Sequence, residues 1–199
     1  MLQLDRWKAE IVSGNFEKSK IIQEGTMSKM SALSLSIGVL GGLAAWAFLS
    51  LGGILIWAAF IGWACFFHTG GDNNALRNTI VGNVFGSVSA WIAAVVILSI
   101  PLADKLTLPL WAGIVVGVTV WAICYAANIK ALSVIPANVY GYAATFAFLL
   151  QTPDKLSLSS LMSLSLDNAV ITVSLSLAIG AVLGLASAKG AAALGSGAA

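Results

Sequence analysis

Charge is what this sequence has least of. Only 9% of its 199 residues are Asp, Glu, Lys or Arg, against about 25% in a soluble globular domain. Hydrophobic residues make up 59%, a balance that excludes an ordinary soluble fold. The net charge of +2 is small, and the basic residues form no stripe interleaved with aromatics. Nucleic acid is therefore excluded as a partner. Histidine occurs once, at His68, and cysteine twice, at Cys65 and Cys124. No ligand set at zinc spacing can be drawn from these, and no disulfide framework. Both cysteines fall inside apolar runs, where a thiol behaves as a small hydrophobe. No Gly-rich loop is followed by Lys in the manner of a phosphate cradle. The expectation is a protein that is not an enzyme and carries neither metal nor cofactor. A charged n-region, h-region and cleavage site are also missing at the N-terminus, so no removable signal peptide is expected.

What the chain has instead is long apolar runs. Between Ser31 and Ser187 they follow one another, separated by short polar loops, and several reach the roughly 20 residues that span a bilayer as a helix. The fold class is all-α, a polytopic integral membrane helix bundle of about six transmembrane segments. Residues 1–30 form a cytoplasmic N-terminal segment, 31–187 the transmembrane domain, and 188–199 a disordered Ala/Gly tail. In the first of these, Leu4, Trp7, Ile11 and Val12 have helical spacing, which fits an interfacial amphipathic helix or a partly ordered tail.

The spans fall at about 31–51, 54–67, 79–100, 108–128, 136–150 and 168–187. The fifth is short, since fifteen residues rise only about 22 Å against a hydrocarbon core of about 30 Å. It either borrows Leu132 to Ile135 or is a half-helix. Leu156 to Leu166 alternates Leu and Ser, a period unlike that of a lipid-facing helix, so this stretch is interfacial or packed against protein. With the N-terminus cytoplasmic, the inner side receives Arg6, Lys8, Lys18, Lys20, Lys29, Arg77, Lys130 and Lys189, and the outer side Lys105 and Lys155. That asymmetry agrees with the preference of basic residues for cytoplasmic loops.

Two stretches resemble each other. Gly82-Asn83-Val84-Phe85-Gly86-Ser87 is matched 55 positions later by Ala137-Asn138-Val139-Tyr140-Gly141-Tyr142, and the pairs Trp57-Ala58 and Trp111-Ala112 lie 54 positions apart. The agreement of the offsets points to an internal repeat. No charged residue lies within the core of a span, which argues against a proton-coupled pump, because intramembrane charges are costly unless used. The neutral amides Asn83 and Asn138 then carry the argument, and two readings stay open. They hold helices together, or they line a narrow path for a small uncharged solute, with Phe85, Tyr140 and Tyr142 as flat walls and Gly86 and Gly141 allowing close backbone approach. His68 near Asp72 is either a pH-sensitive pair or a solvated interfacial histidine. Trp46, Trp63, Trp91 and Trp121 are expected in the core and Trp57 and Trp111 in the aromatic belt. Gly113/Gly117 and Gly180/Gly184 have the spacing of close helix contacts, within or between subunits.

The run Ile56-Trp57-Ala58-Ala59-Phe60-Ile61-Gly62, the pair Phe66-Phe67 before Gly70-Gly71, and Ile135-Pro136 followed by Gly141 and Ala144-Thr145-Phe146-Ala147 resemble a bacterial inner-membrane family, domain of unknown function 1097. The resemblance covers about Ser31 to Ser187 and implies a small multi-span inner-membrane protein without implying an activity. The substrate-binding candidates are Asn83, Phe85, Asn138, Tyr140, Tyr142 and Thr145. The expected function is a passive, homo-oligomeric channel or facilitator for urea, a short amide or a small polyol. The alternative is a non-transporting membrane anchor or regulatory partner protein.

Overall fold

The computed structural model describes residues 27–195, and the cytoplasmic segment expected at 1–30 lies almost wholly outside them. Among the described residues there is no strand. The helices are α1 (Lys29–Leu51), α2 (Ile56–His68), α3 (Asn73–Ser99), the short α4 (Ala103–Leu106), α5 (Leu108–Tyr125), α6 (Ile135–Gln151), the short α7 (Leu158–Leu161) and α8 (Ala169–Gly195). Four helical stretches are long and apolar enough to cross a membrane: Lys29–Leu51, Asn73–Ser99, Leu108–Asn128 and Ala169–Gly195. α2 has 13 residues and α6 has 17, lengths that rise about 20 Å and about 25 Å.

Local chemistry explains the boundaries. Gly52 and Gly53 turn the chain after α1 with φ of 71° and 77°, angles that a Cβ would disfavour. Asp72 caps α3 by accepting from the backbone N–H of Ala75 at 2.7 Å, which starts that helix six residues before the expected Thr79. Pro109 and Pro136 lie in the first turns of α5 and α6, where a missing N–H costs nothing. At the far end, α8 runs through Gly195, so residues 188–195 are helical and not the disordered tail expected. Alanine supplies the reason, because Ala-rich sequence propagates a helix once packing has nucleated it.

The described residues form two compact units, 27–39 with 187–195 and 40–186. In the first, Ala32 and Ser187 are fully buried, and the Ser36 hydroxyl lies where a Cβ on Gly190 would meet it at 2.6 Å. The second is built on two helix pairs. α3 and α6 run parallel, with Gly82 against Ala137 and Gly86 against Asn138 and Tyr142. α2 and α8 are parallel too, Leu55 bonding Ser176 and Phe66 covering Gly184. Ala58, Ala94, Ala144, Phe148, Val173 and Leu177 from all four helices share one buried cluster. α5 leans on α3 and α6 through Val115 and Ile123.

Both pairs meet backbone to backbone, and reciprocally. A methyl group on Gly86 would overlap the carbonyl oxygen of Asn138, and one on Gly141 that of Asn83. In the other pair Gly62 meets the Leu177 carbonyl and Gly180 the Ala59 carbonyl in the same way. Such contact is what holds helices together in lipid, where burying apolar surface gives little drive. The tryptophans divide differently from expectation. Trp63 is buried, but Trp46 and Trp121 are 69% and 65% exposed. Trp111 is buried instead of sitting in a belt, its indole N–H donating to the Ile97 carbonyl at 3.3 Å.

Gly42, on α1, has no atom within 4 Å of where a Cβ would sit, in contrast to Gly141. Gly141→Ala should destabilise the protein in detergent by about 1–3 kcal/mol, as overpacking does. Gly42→Ala should leave the thermal midpoint unchanged or raise it. Equal midpoints for the two variants would show that the α3–α6 contact is not what holds the bundle.

Candidate functional site

At the α3–α6 seam the side chains that flank the glycines are polar and neutral. Asn83, Ser87, Asn138 and Thr145 are each no more than 1% exposed. Asn138 donates its amide N–H groups to the Leu132 carbonyl at 2.9 Å and the Ile123 carbonyl at 3.3 Å. These carbonyls are available because α5 ends in two short 3-10 turns, Ala126–Asn128 and Lys130–Leu132, which leave them without helical partners. The Asn138 Oδ1 has no hydrogen-bond partner among the described residues and would meet a Cβ on Gly82 at 2.9 Å. Asn83 accepts a weak bond from the Cys65 thiol at 3.8 Å, and its Nδ2 is likewise unpartnered. Two buried amides thus present one unmet donor and one unmet acceptor on a single seam.

The hydroxyls beside them are locally engaged. Thr145 donates to the Gly141 carbonyl at 2.9 Å, and Ser87 donates to the same oxygen at 3.3 Å. Tyr142 is buried and its hydroxyl meets Thr119 at 2.7 Å. Phe85 packs with Ala90, Ile123 and Tyr142. Tyr140 points the other way, toward α2, where its hydroxyl lies 2.9 Å from Nδ1 of His68. The structure therefore gathers Asn83, Asn138 and Thr145 at the seam and leaves Phe85 and Tyr142 on the α5 side. Tyr140 borders a separate apolar cleft of about 310 Å³, lined by Trp57, Ile61, Ala64, Ala143, Ala144 and Ala147. The close approach expected at Gly86 and Gly141 is taken up by the partner helix's backbone. His68 does not pair with Asp72, whose carboxylate is committed to the α3 cap.

Sequence reasoning missed further buried polar residues. Thr79 is fully buried and meets Thr69 at 3.0 Å. On α8, Thr172 and Ser176 are buried one and two turns after the buried Asn168, and that spacing of four was readable as one helix face. No charged side chain is among the buried polar residues described. No group of three metal-ligating side chains occurs among the described residues either.

The opposite end of the seam is closed by the connection between α6 and α8. Within it α7 carries Leu161, which is fully buried in the cluster where α2, α3, α6 and α8 meet. Its carbonyl accepts from Nε1 of Trp91 and from Nδ2 of Asn168, both at 2.8 Å. Lys155 and Asp167 pair across the base of this connection. The Lys155 hydrogen bond, then the Ser165 hydroxyl, hold the Asp167 carboxyl below its ordinary value.

The described residues are all-helical, with four helices long and apolar enough to cross a membrane and no charged side chain among the buried polar residues, an arrangement consistent with a multi-pass membrane protein. A family model described as "Protein of unknown function (DUF1097)" matches residues 34–192, and the chain belongs to that family. No curated protein and no solved structure matches the chain.

Two outcomes follow from the bonds just described. Asn138→Ala removes the donor to the buried Ile123 carbonyl and to the half-buried Leu132 carbonyl, and should cost about 1–3 kcal/mol for the buried group it orphans. Asn83→Ala removes one weak bond and an unmet donor, and should cost much less in the same thermal unfolding assay. For Asp167 the folded carboxyl titrates below its unfolded value of about 3.9. Its contribution is therefore complete above that pH and is lost as pH falls through the lower folded value. Asp167→Asn should lower the midpoint at pH 7, and the difference from the native chain should vanish in acid.

Proposed function

We propose that this protein is a passive facilitator for a small uncharged polar solute of the urea, short-amide or small-polyol class. One observation carries the reading: the unmet Nδ2 of Asn83 and the unmet Oδ1 of Asn138, both buried on one helix seam. Buried polar groups are normally paired, and an unmet donor and an unmet acceptor on the same seam suit a solute that offers the reverse. The neutral composition of the buried polar set supports an uncharged cargo, since an ion would call for a counter-charge or a ring of carbonyls.

In the same reading the protein sits in the bacterial inner membrane with a cytoplasmic N-terminus and crosses six times. Short turns at 52–55 and 69–72 joining α1, α2 and α3 support counting α2 as a crossing. The reciprocal contact of Asn83-Val84-Phe85-Gly86 with Asn138-Val139-Tyr140-Gly141 supports an internal repeat of parallel units. The open faces of Gly113 and Gly117 support a homo-oligomer. Inner-end residues then include His68, Arg77 and Lys130, and outer-end residues Lys105, Lys155 and Asp167.

A second reading, a non-transporting anchor or regulatory partner, is favoured by the occupation of Gly86 and Gly141 by helix backbone. Liposome swelling separates the two. Proteoliposomes should swell faster than empty vesicles in urea, acetamide or glycerol, and Asn83→Leu, which fills the amide site without removing a strong bond, should slow them. Swelling identical to empty vesicles across the panel would rule out the facilitator. Loss of a cellular phenotype on deleting residues 1–28, with no flux in any solute, would establish the anchor.

A further inference from the structure

We propose that the cleft between α2 and α6 is a lipid site, seating one acyl chain of a bilayer phospholipid lengthwise with its polar end at His68 and Tyr140. The inference rests on the membrane reading and is independent of any solute path. The cleft has a volume of about 310 Å³. Trp57, Ile61 and Ala64 form one wall, at successive turns on a single face of α2, and Tyr140, Ala143 and Ala147 form the other on α6. Ala144, which is buried, is the floor. From Tyr140 to Ala147 the wall extends about 10 Å along its helix. What makes the cleft is small side chains. Fifty-five positions earlier, at the offset that relates the two Asn-aromatic-Gly steps, α3 carries Val88, Ser89 and Ile92 where α6 carries Ala143, Ala144 and Ala147. The α6 copy is reduced to methyl groups at all three positions, and they line the space.

The surroundings of the cleft name the occupant. It opens sideways, because Ala143 and Ala147 lie on the exposed face of α6 together with Val139 and Leu150. That face is apolar, and in a membrane it meets hydrocarbon chains. α1 packs elsewhere on α2, with Gly41 against Phe60. Lipid gives no hydrophobic drive to such a contact, so a seated chain differs from a passing one by dispersion alone. Inside the cleft it touches α2, α6 and the floor, three sides in place of one. The polar end is marked as well. Nδ1 of His68 lies 2.9 Å from the Tyr140 hydroxyl, and the two rings meet edge to face with centroids 5.8 Å apart. When that hydroxyl donates to Nδ1, the imidazole carries its own proton on Nε2 and can give it to an ester or phosphate oxygen. His68 is exposed at the end of α2, where a headgroup reaches it. α2 and α6 rise only about 20 Å and about 25 Å, against a hydrocarbon core of about 30 Å. Short helices draw neighbouring headgroups inward, which brings the ester region down to this pair. Trp57 bounds the cleft toward its other end.

The test uses the full chain, extracted from membranes into a mild detergent and measured by native mass spectrometry. The chain should retain one phospholipid. Ala143→Val with Ala147→Ile, which copies the α3 side chains into the cleft, should abolish that retention. Ala122→Ile adds similar bulk to the exposed face of α5 and should leave it intact. No retained phospholipid in the native chain, or equal retention in the two variants, overturns the proposal. A dimer that dissociates only when the cleft is filled overturns it too, and assigns the cleft to a second copy of this chain. Should the double variant fail to fold, the native chain decides. Delipidated protein in micelles is titrated with a phospholipid brominated on its acyl chain, and the Trp57 signal is taken as the native fluorescence less that of Trp57→Phe. Quenching should reach a plateau at one equivalent, and a steady rise without a plateau overturns the site.

Discussion

Two carbonyl oxygens lying over two glycines set the spacing of the central helices, and the rest of the bundle follows from it. In water the apolar faces of α3 and α6 would be driven together by burial, but lipid tails are as apolar as the side chains they replace. Attraction has to come from close packing and from polar contact. The Gly86–Asn138 and Gly141–Asn83 contacts bring the two backbones as near as helices come, and α2 and α8 repeat the device with Gly62 and Gly180. Large side chains are excluded where the helices touch. They collect instead at the other end, where Phe148, Leu149 and Leu161 fill the space.

Such tight seams decide what polarity they can hold. A charge there would be stranded in a medium of low dielectric, and the buried polar residues among those described are Ser, Thr or Asn. Two of them turn back on their own helix, Thr145 donating to the Gly141 carbonyl at 2.9 Å and Ser176 to the Thr172 carbonyl at 2.7 Å. Asn138 does more, reaching from α6 to satisfy the unwound end of α5. The same residue therefore ties three elements together and still leaves one oxygen unmet.

Much of this is legible in the sequence. Scarce charge and runs near twenty residues announce a helical membrane protein, and the paired Asn-aromatic-Gly steps mark the central contact. What stays hidden is whatever depends on which neighbour a side chain meets. Tyr140 and Tyr142 are two positions apart on one helix, and geometry sends the first to His68 and the second to Thr119. Asp72 looks available to His68 but is held by a helix start. The helical character of 188–195 is concealed by small residues that read as linker when no partner is known. The i, i+4, i+8 face of Asn168, Thr172 and Ser176 is visible yet easily overlooked, because hydroxyls in an apolar run carry little weight in a hydropathy profile.

The reciprocal glycine contacts also fix how this molecule can deform. Sliding α3 along α6 by one residue would bring a Cβ onto a carbonyl, so the pair has no neighbouring register to adopt. It behaves as a welded joint, and any rearrangement has to be a rotation about that joint. Small angular changes there become large displacements at the far ends of the helices, which makes the pair a lever with its fulcrum at the middle of α3 and near the beginning of α6.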